Sequence, residues 1–426
     1  MSSSFYPPDW ALHTNIYEVN LRQYTREGTI NAFATHLSRL KDMNVQTLWF
    51  MPLQPVGKEK RKGTLGSYYS ISDYISLNPE FGTSGDFKKL VEEAHALGFK
   101  IIIDWVANHT AWDHVWTKTH SDFYSKDYNG NFRPPYPDWE DVIHLNYENK
   151  NLWSAMIGAM EFWINEFNID GFRCDMAHLV PLDFWYQARV ELDKQKKLFW
   201  LAETEEPGYH KVFDASYTWE FLHKMEAYWR GETGISGLDE VLYKYDTAFP
   251  GKAIRMFFTS NHDENSHSGS EYERMGDAAN AFAVLCATWK GCPLIYSGQE
   301  LPNKKRLAFF EKDNIEWTEK NELHDFYKTL LQLHSNHPAL SAVNENPVTF
   351  RLHTTDDAHI FSFLRKKEER EVLVLLNLSG NNELFVEIMD DKVTGIFKNI
   401  FSESIHDFSE EKKIRMQAWG YLVFEK

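Results

Sequence analysis

From residue 15 to residue 297 the chain repeats one alternation. A short, nearly continuous apolar run gives way to a stretch whose apolar residues recur at helical spacing. Runs such as Leu48-Trp49-Phe50-Met51 and, within 99–106, Ile101-Ile102-Ile103 leave neither face polar. A strand of that kind needs cover on both sides, which a parallel sheet flanked by helices supplies. The spacing predicts strands at 15–20, 47–51, 99–106, 169–175, 198–203, 212–216, 254–260 and 293–297. It predicts a helix after Thr29, with Ile30, Phe33, Leu37, Leu40 and Met43 on one face, and others at 84–96, 152–167, 181–193 and 276–289. Gly98 fits the stop of the second of these helices. Roughly eight strands, most followed by a helix, predict an α/β fold with a (β/α)8 TIM barrel. An open doubly wound sheet is the other arrangement for this rhythm, but no Gly-x-Gly-x-x-Gly follows the first strand.

Two stretches depart from the rhythm. Residues 110–146 are rich in Trp, Tyr, Asp, Asn and Pro and are too long for a simple strand-to-helix loop, so they read as a short insertion after the third strand. From about Pro347 only short strand-like runs with polar turns remain, such as Val372-Leu373-Val374-Leu375-Leu376. The expected organisation is a barrel at 1–109 and 147–345, an inserted subdomain at 110–146, and a C-terminal antiparallel β-sandwich domain at 346–426. A chain of 426 residues exceeds what one core usually supports, in keeping with that division.

Composition narrows the partners. The formal charge is -17, which repels phosphate backbones and argues against nucleic acid. No apolar run approaches the ~20 residues that cross a bilayer, so no membrane partner is expected. Three cysteines, an odd count without framework spacing, argue against a disulfide scaffold. The first residues show no basic then apolar leader, which points to the cytoplasm, or to secretion or the periplasm if a signal has been removed. Aromatic residues reach 15%, enough to fill the core and leave some as platforms for sugar rings. Oligomeric state is not legible.

Chemistry is concentrated where the predicted strands end. Four apolar runs close on a sudden charged or imidazole group: Asp104 to His109, Arg173-Cys174-Asp175, Glu203, and Asn261-His262-Asp263. Each alone would be read as a cap or an ion pair. Four at equivalent positions are harder to explain by stability, because each buried group costs desolvation energy, and active sites of barrels lie at those strand ends. Side chains alternate along a strand, so Arg173 and Asp175 share a face while Phe172 and Cys174 point away. The guanidinium is expected to keep Asp175 ionised, which suits a nucleophile. Glu203 follows a dry run with no basic neighbour in sequence and is expected to have a raised pKa, which suits a general acid. Two carboxyls with separated pKa values are the equipment for cleaving a glycosidic bond.

These motifs, in this order, resemble the α-amylase family of retaining glycoside hydrolases (family 13). The resemblance rests on Asp104-x-Val106-x-Asn108-His109, Gly171-x-Arg173-x-Asp175, Glu203, His262-Asp263, and Gly291 to Glu300 near the last barrel strand. It covers essentially the whole chain. It implies that Asp175 is the nucleophile of a covalent glycosyl-enzyme, Glu203 the acid/base and Asp263 the third carboxylate. It further implies that Arg173 positions Asp175, that Asp104 holds the cluster, and that His109 and His262 bind hydroxyls of the sugar on the non-reducing side. Tyr69, rather than Tyr68, aligns with the tyrosine stacked on that sugar. His178 lies where the family often touches the leaving-group side.

The chain departs from the family at its usual calcium site. Asn108 is present, but Leu179 stands where a histidine ligand belongs and His144 where an aspartate does. No metal or other cofactor is therefore expected. Trp105, Trp112, Trp116, Trp139 and Trp219 are candidate sugar platforms. The expected substrate is an α-glucan or maltooligosaccharide, cleaved most simply at α-1,4 links. A transglycosylase or isomerase and an oligo-1,6-glucosidase share the catalytic set. A non-catalytic glucan-binding relative would typically lack part of the carboxylate set that is complete here.

Overall fold

The computed structural model describes residues 5–343 and 347–426. The expected domain boundary at 345/346 and the first four residues of the chain lie outside the described residues.

The barrel strands are short. β1 (Ile16–Val19), β2 (Thr47–Phe50) and β3 (Lys100–Trp105) come first, followed by a small pair, β4 (His109–Ala111) and β5 (Val142–His144). The barrel resumes with β6 (Gly171–Cys174), β7 (Phe199–Ala202), β8 (Ala215–Tyr217), β9 (Ile254–Phe257) and β10 (Cys292–Tyr296). Eight of them close in the order β1-β10-β9-β8-β7-β6-β3-β2. β2–β3, β3–β6, β6–β7, β7–β8 and β9–β10 pair in parallel. This is the predicted (β/α)8 barrel. β4 and β5 pair antiparallel within the stretch that breaks the rhythm.

Most predicted strands run one or two residues beyond the observed ones. The excess residues still matter: Asp175 N donates to Trp105 O at 3.0 Å and Glu203 N to Cys174 O at 3.0 Å. Both carboxylates therefore stand on backbone tied to a neighbouring strand. Gly171 opens β6 because a Cβ there would run into the backbone of Phe199.

The helix predicted at 84–96 is found at Ser84–Ala96, where Thr83 and Asp86 form a capping box and Gly98 turns the chain out at φ 88°. The helix predicted after Thr29 is split into Ile30–Ala34 and Leu37–Asp42. Thr35 hydroxyl donates to Ala32 O at 2.7 Å and competes for the ladder at the break. Helices Trp219–Trp229, Ile235–Ala248 and His324–Asn336 were not among the predicted ones. No described helix is long and apolar enough to cross a membrane.

Two compact units divide the chain. One is built on Tyr17–Ser216 and takes in the distant segment Arg306–Glu319. That segment is tied down by backbone-directed bonds. Gln23 Nε2 donates to Ala308 O at 2.7 Å and Glu311 O at 2.8 Å, Leu65 N to Phe310 O at 3.0 Å, and Ile315 N to Gln23 O at 2.8 Å.

The other unit combines Tyr217–Lys305 with Lys320–Lys426. It contains β11 (Val348–Arg351), β12 (Ile360–Lys367), β13 (Arg370–Asn377), β14 (Leu384–Glu387), β15 (Ile396–Asn399), β16 (Ile405–Asp407), β17 (Lys413–Met416) and β18 (Tyr421–Glu425). They form a six-stranded sheet, β11-β12-β13-β18-β15-β16, and a two-stranded sheet, β14-β17. Leu373, Leu375, Val386, Phe397, Met416 and Phe424 share one core cluster across both sheets. Tyr228 hydroxyl donates to Leu378 O at 2.7 Å, and Trp289 meets Phe363 edge-on at 4.8 Å, so these sheets are joined to barrel helices of their own unit.

Candidate active site

Asp104 on β3 stands opposite Arg173 on β6 in the barrel register. Both side chains are fully buried. Arg173 Nη1 donates to Asp104 Oδ1 at 2.9 Å and Oδ2 at 3.1 Å, and to Asp175 Oδ1 at 3.0 Å. Its Nη2 lies 2.8 Å from Glu203 Oε2, at ion-pair distance. One guanidinium thus holds three carboxylates from three adjacent strands. Asp104 is satisfied further by Trp49 Nε1 at 3.2 Å and by the Tyr69 hydroxyl at 3.1 Å. A buried charge is tolerable when paired and hydrogen-bonded in this way.

The opposite face of β6 is apolar. Phe172 packs between Trp105 at 5.7 Å and Trp200 at 5.6 Å. Burial pushes the Cys174 thiol well up, so it is an inert filler.

Glu203 is not isolated, contrary to what its sequence neighbours imply. Besides Arg173, Met176 N donates to its Oε2 at 2.9 Å. Met176 takes φ 41°, ψ 45°, a left-handed conformation that costs a non-glycine residue on the order of 1–3 kcal/mol. This strained residue follows Asp175 directly and turns its N–H toward Glu203. A basic partner from the next strand and a donor from a strained turn cannot be read along one strand.

His109 lies at the start of β4. Tyr74 hydroxyl donates to Val106 O at 2.7 Å and Tyr147 hydroxyl to Ala107 O at 2.7 Å, which fixes the turn before it. Burial holds the imidazole down at about 3 and His144 adds to that, against a bond to the Tyr69 backbone. His109 is therefore neutral, with Nδ1 3.2 Å from Asn108 Nδ2. His178 is exposed, its Nδ1 3.5 Å from Glu203 O. His262 and Asp263 follow β9 in the second unit, with Nε2 to Oδ2 at 3.0 Å. Asp263 leads into a π-helical turn, Glu264–Ser268.

The structure thus gathers Tyr69, Asp104, His109, Arg173, Asp175, His178 and Glu203 in one unit and pairs His262 with Asp263 in the other. Tyr68 points elsewhere, with the Arg22 guanidinium 4.1 Å over its ring.

The tryptophans separate. Trp105 is fully buried among Tyr74 and Phe172, which overturns its candidacy as a platform. Trp116 packs on Tyr74, His114 and Phe123. Trp112 carries Lys60 Nζ 3.1 Å over its ring, and Trp219 stacks on Tyr217 at 5.3 Å. Trp139 is half-buried and meets the His109 ring edge-on at 5.5 Å, which leaves it the best placed of the five. Sequence reasoning missed Trp49, Met176 and Phe309, whose ring lies parallel to Tyr69. Trp49 alone carried a signal, as an indole in the middle of a barrel strand.

Residues 13–139 and 136–343 match the model of the alpha amylase catalytic domain. The chain belongs to the α-amylase family. Relatives named α-amylase, cyclomaltodextrinase and maltosyltransferase place the family among glycoside hydrolases and transglycosylases. Alpha-amylase 2 of Dictyoglomus thermophilum is 25% identical over 448 residues, covering 95% of this chain and 75% of that protein. A maltogenic α-amylase of Thermotoga neapolitana is 32% identical, with TM-score 0.88 over 97% of this chain and 98% of that one. An α-amylase of Lactobacillus plantarum is 27% identical, with TM-score 0.88 over 98% and 99%. As an α-amylase-family member the chain is an enzyme of the glycoside hydrolase class.

Proposed function

We propose that the protein hydrolyses α-1,4 links of starch-derived oligosaccharides with retention of configuration. The single observation that carries the reading is the Arg173 fork. Retaining carboxylate pairs stand about 5–5.5 Å apart, and inverting pairs roughly 6.5–9.5 Å to admit a water. Asp175 and Glu203 are held on adjacent nitrogens of one guanidinium, which fits the closer class. In this reading Asp175 Oδ attacks the anomeric carbon while Glu203 gives its proton to the departing oxygen. Glu203 then takes a proton from water, which displaces Asp175 and restores both groups. Asp263 and His262 grip hydroxyls of the reacting sugar. Neutral His109 offers a ring N–H without adding charge, and Tyr69 stacks on the same sugar. His178 meets the leaving-group side.

The family's usual calcium ligands do not fit. Leu179 supplies no donor, and His144 Nδ1 is engaged with Ser125 Oγ at 3.0 Å. We propose that activity does not depend on calcium through that site. A melting curve with chelator should match the untreated one; a drop restored by calcium would overturn this.

The deciding experiment incubates the protein with maltoheptaose, pullulan, β-cyclodextrin and isomaltotriose, with Asp175→Ala alongside. Products from wild type alone support the reading, and their pattern chooses the bond. Relatives named cyclomaltodextrinase and probable oligo-1,6-glucosidase make β-cyclodextrin and isomaltotriose informative arms. Longer products at high sugar concentration would point to transglycosylation. No products from any α-glucan would sink the hydrolase reading.

A further inference from the structure

We propose that Phe309 is a specificity-determining residue that continues the Tyr69 platform to the adjacent sugar, so that the cleft favours linear oligosaccharides long enough to cover both rings. This rests on the role of Tyr69 proposed above.

The Phe309 ring is parallel to that of Tyr69 within 13°, with centroids 6.4 Å apart. Its other aromatic neighbours approach at steep angles: Tyr68 at 89° and 5.3 Å, Phe310 at 70° and 5.0 Å. Tyr68 and Tyr69 are buried, whereas Phe309 is partly exposed. Apolar C–H faces of a pyranose pack on aromatic faces, and two rings in parallel planes can serve two successive sugars of one chain. Phenylalanine has no polar atom, so it reads ring shape and not hydroxyl pattern.

The ring is also preorganised. Phe309 O accepts from Arg22 Nη1 at 3.4 Å, Ala308 O from Gln23 Nε2 at 2.7 Å, and Phe310 O from Leu65 N at 3.0 Å. Thr64 hydroxyl donates to the Glu311 carboxylate, and Lys312 ammonium to Arg22 O. A strap fixed by its backbone on both sides of Phe309 presents that side chain at little further entropic cost.

The test compares wild type, Phe309→Ala, Phe309→Leu and Phe309→Trp on maltose, which covers Tyr69 alone, and on maltotriose and maltoheptaose, which cover both rings. Phe309→Ala and Phe309→Leu should lose about three- to tenfold in kcat/KM on maltotriose and maltoheptaose, mostly through KM, with a much smaller loss on maltose. Phe309→Trp should restore the long-chain preference. Phe309→Leu keeps a bulky apolar side chain without an aromatic face, so it separates stacking from packing even if Phe309→Ala folds poorly. A loss equal at all chain lengths, or Phe309→Leu indistinguishable from wild type, would overturn the proposal. A wild type inactive on every α-glucan would show instead that the hydrolase reading fails, and this inference would fall with it.

Discussion

Arg173 joins three carboxylates at once, and its planar fork cannot be replaced by a single ammonium. Arg173→Lys should lower kcat at least about a hundredfold, because Asp175 and Glu203 lose their common partner, while KM changes little. Initial rates on maltoheptaose would show the split, and equal effects on kcat and KM would contradict it. Met176 gives a second residue-level test. Met176→Gly should retain the turn and most of the activity, since glycine adopts positive φ without penalty. Met176→Ile should cost about 1–3 kcal/mol and much of kcat, because a β-branched residue resists that conformation. Thermal melts and rates together check both. At this scale the sequence showed which carboxylates to suspect, since each closes an apolar run. It could not show that Glu203 and Arg173 meet, because they lie 30 positions apart and touch only through strand pairing. Nor could it expose Phe309, whose neighbours Tyr68 and Tyr69 come from another part of the chain.

The strands carry carboxylates at both ends, with opposite purposes. Asp170 precedes β6 and Asp175 follows it. Asp170 accepts from Ile101 N at 2.9 Å and pairs with His95 at 2.7 Å and Lys196 at 3.0 Å. Burial alone would raise it; these partners outweigh burial and hold it at about 2. Asp170→Asn should therefore cost about 3 kcal/mol of stability with kcat preserved in the folded fraction. Asp175→Asn should abolish turnover with a much smaller change in melting temperature. If both variants lost activity and stability alike, the division between the two ends of β6 would fail. Helices were less evenly legible. Leu238, Val241, Leu242 and Tyr245 do recur at helical spacing in Ile235–Ala248, but the glycines at 231, 234 and 237 and the acids Glu232, Asp239 and Glu240 masked the pattern. The break at Thr35 was illegible because it depends on where a hydroxyl turns.

Across the whole molecule, burial sets the response to acid. His109 and His114 are held at about 3, and His334 and His337 at about 4, chiefly by burial. Their unfolded value is about 6.5. Between these limits the unfolded chain binds more protons, so stability is lost as pH falls below about 6.5. Asp214 and Glu271 act oppositely: burial raises them to about 6 and about 7, and they favour the folded state as pH falls toward their unfolded values. Burial lowers His13 and His144 as well, so six groups against two leave a net loss, on the order of 1 kcal/mol per pH unit for each uncompensated histidine. The melting temperature should drop by several degrees from pH 6.5 to 5, and Glu271→Gln should steepen the drop. A flat profile over that window would contradict the assignment. The barrel was legible as a whole because eight repetitions of one pattern leave few alternatives, whereas the two-sheet arrangement after residue 347 depends on pairings far apart in the chain.

The late segment Arg306–Glu319 belongs with Tyr17–Ser216, and this has a consequence for biosynthesis. When Ser216 leaves the ribosome, about a hundred further residues must be made before the strap arrives, on the order of 5–20 s at ~5–20 residues per second. During that interval Gln23, Thr64 and Leu65 lack the strap residues they bond to, and the ring that lies beside Tyr69 does not yet exist. The barrel strands made by then must wait in an incomplete state, and the wall beside Tyr69 is among the last parts to be assembled. Ribosome-bound chains stalled before residue 306 should therefore be more sensitive to protease in the 57–66 loop than chains stalled well after residue 319.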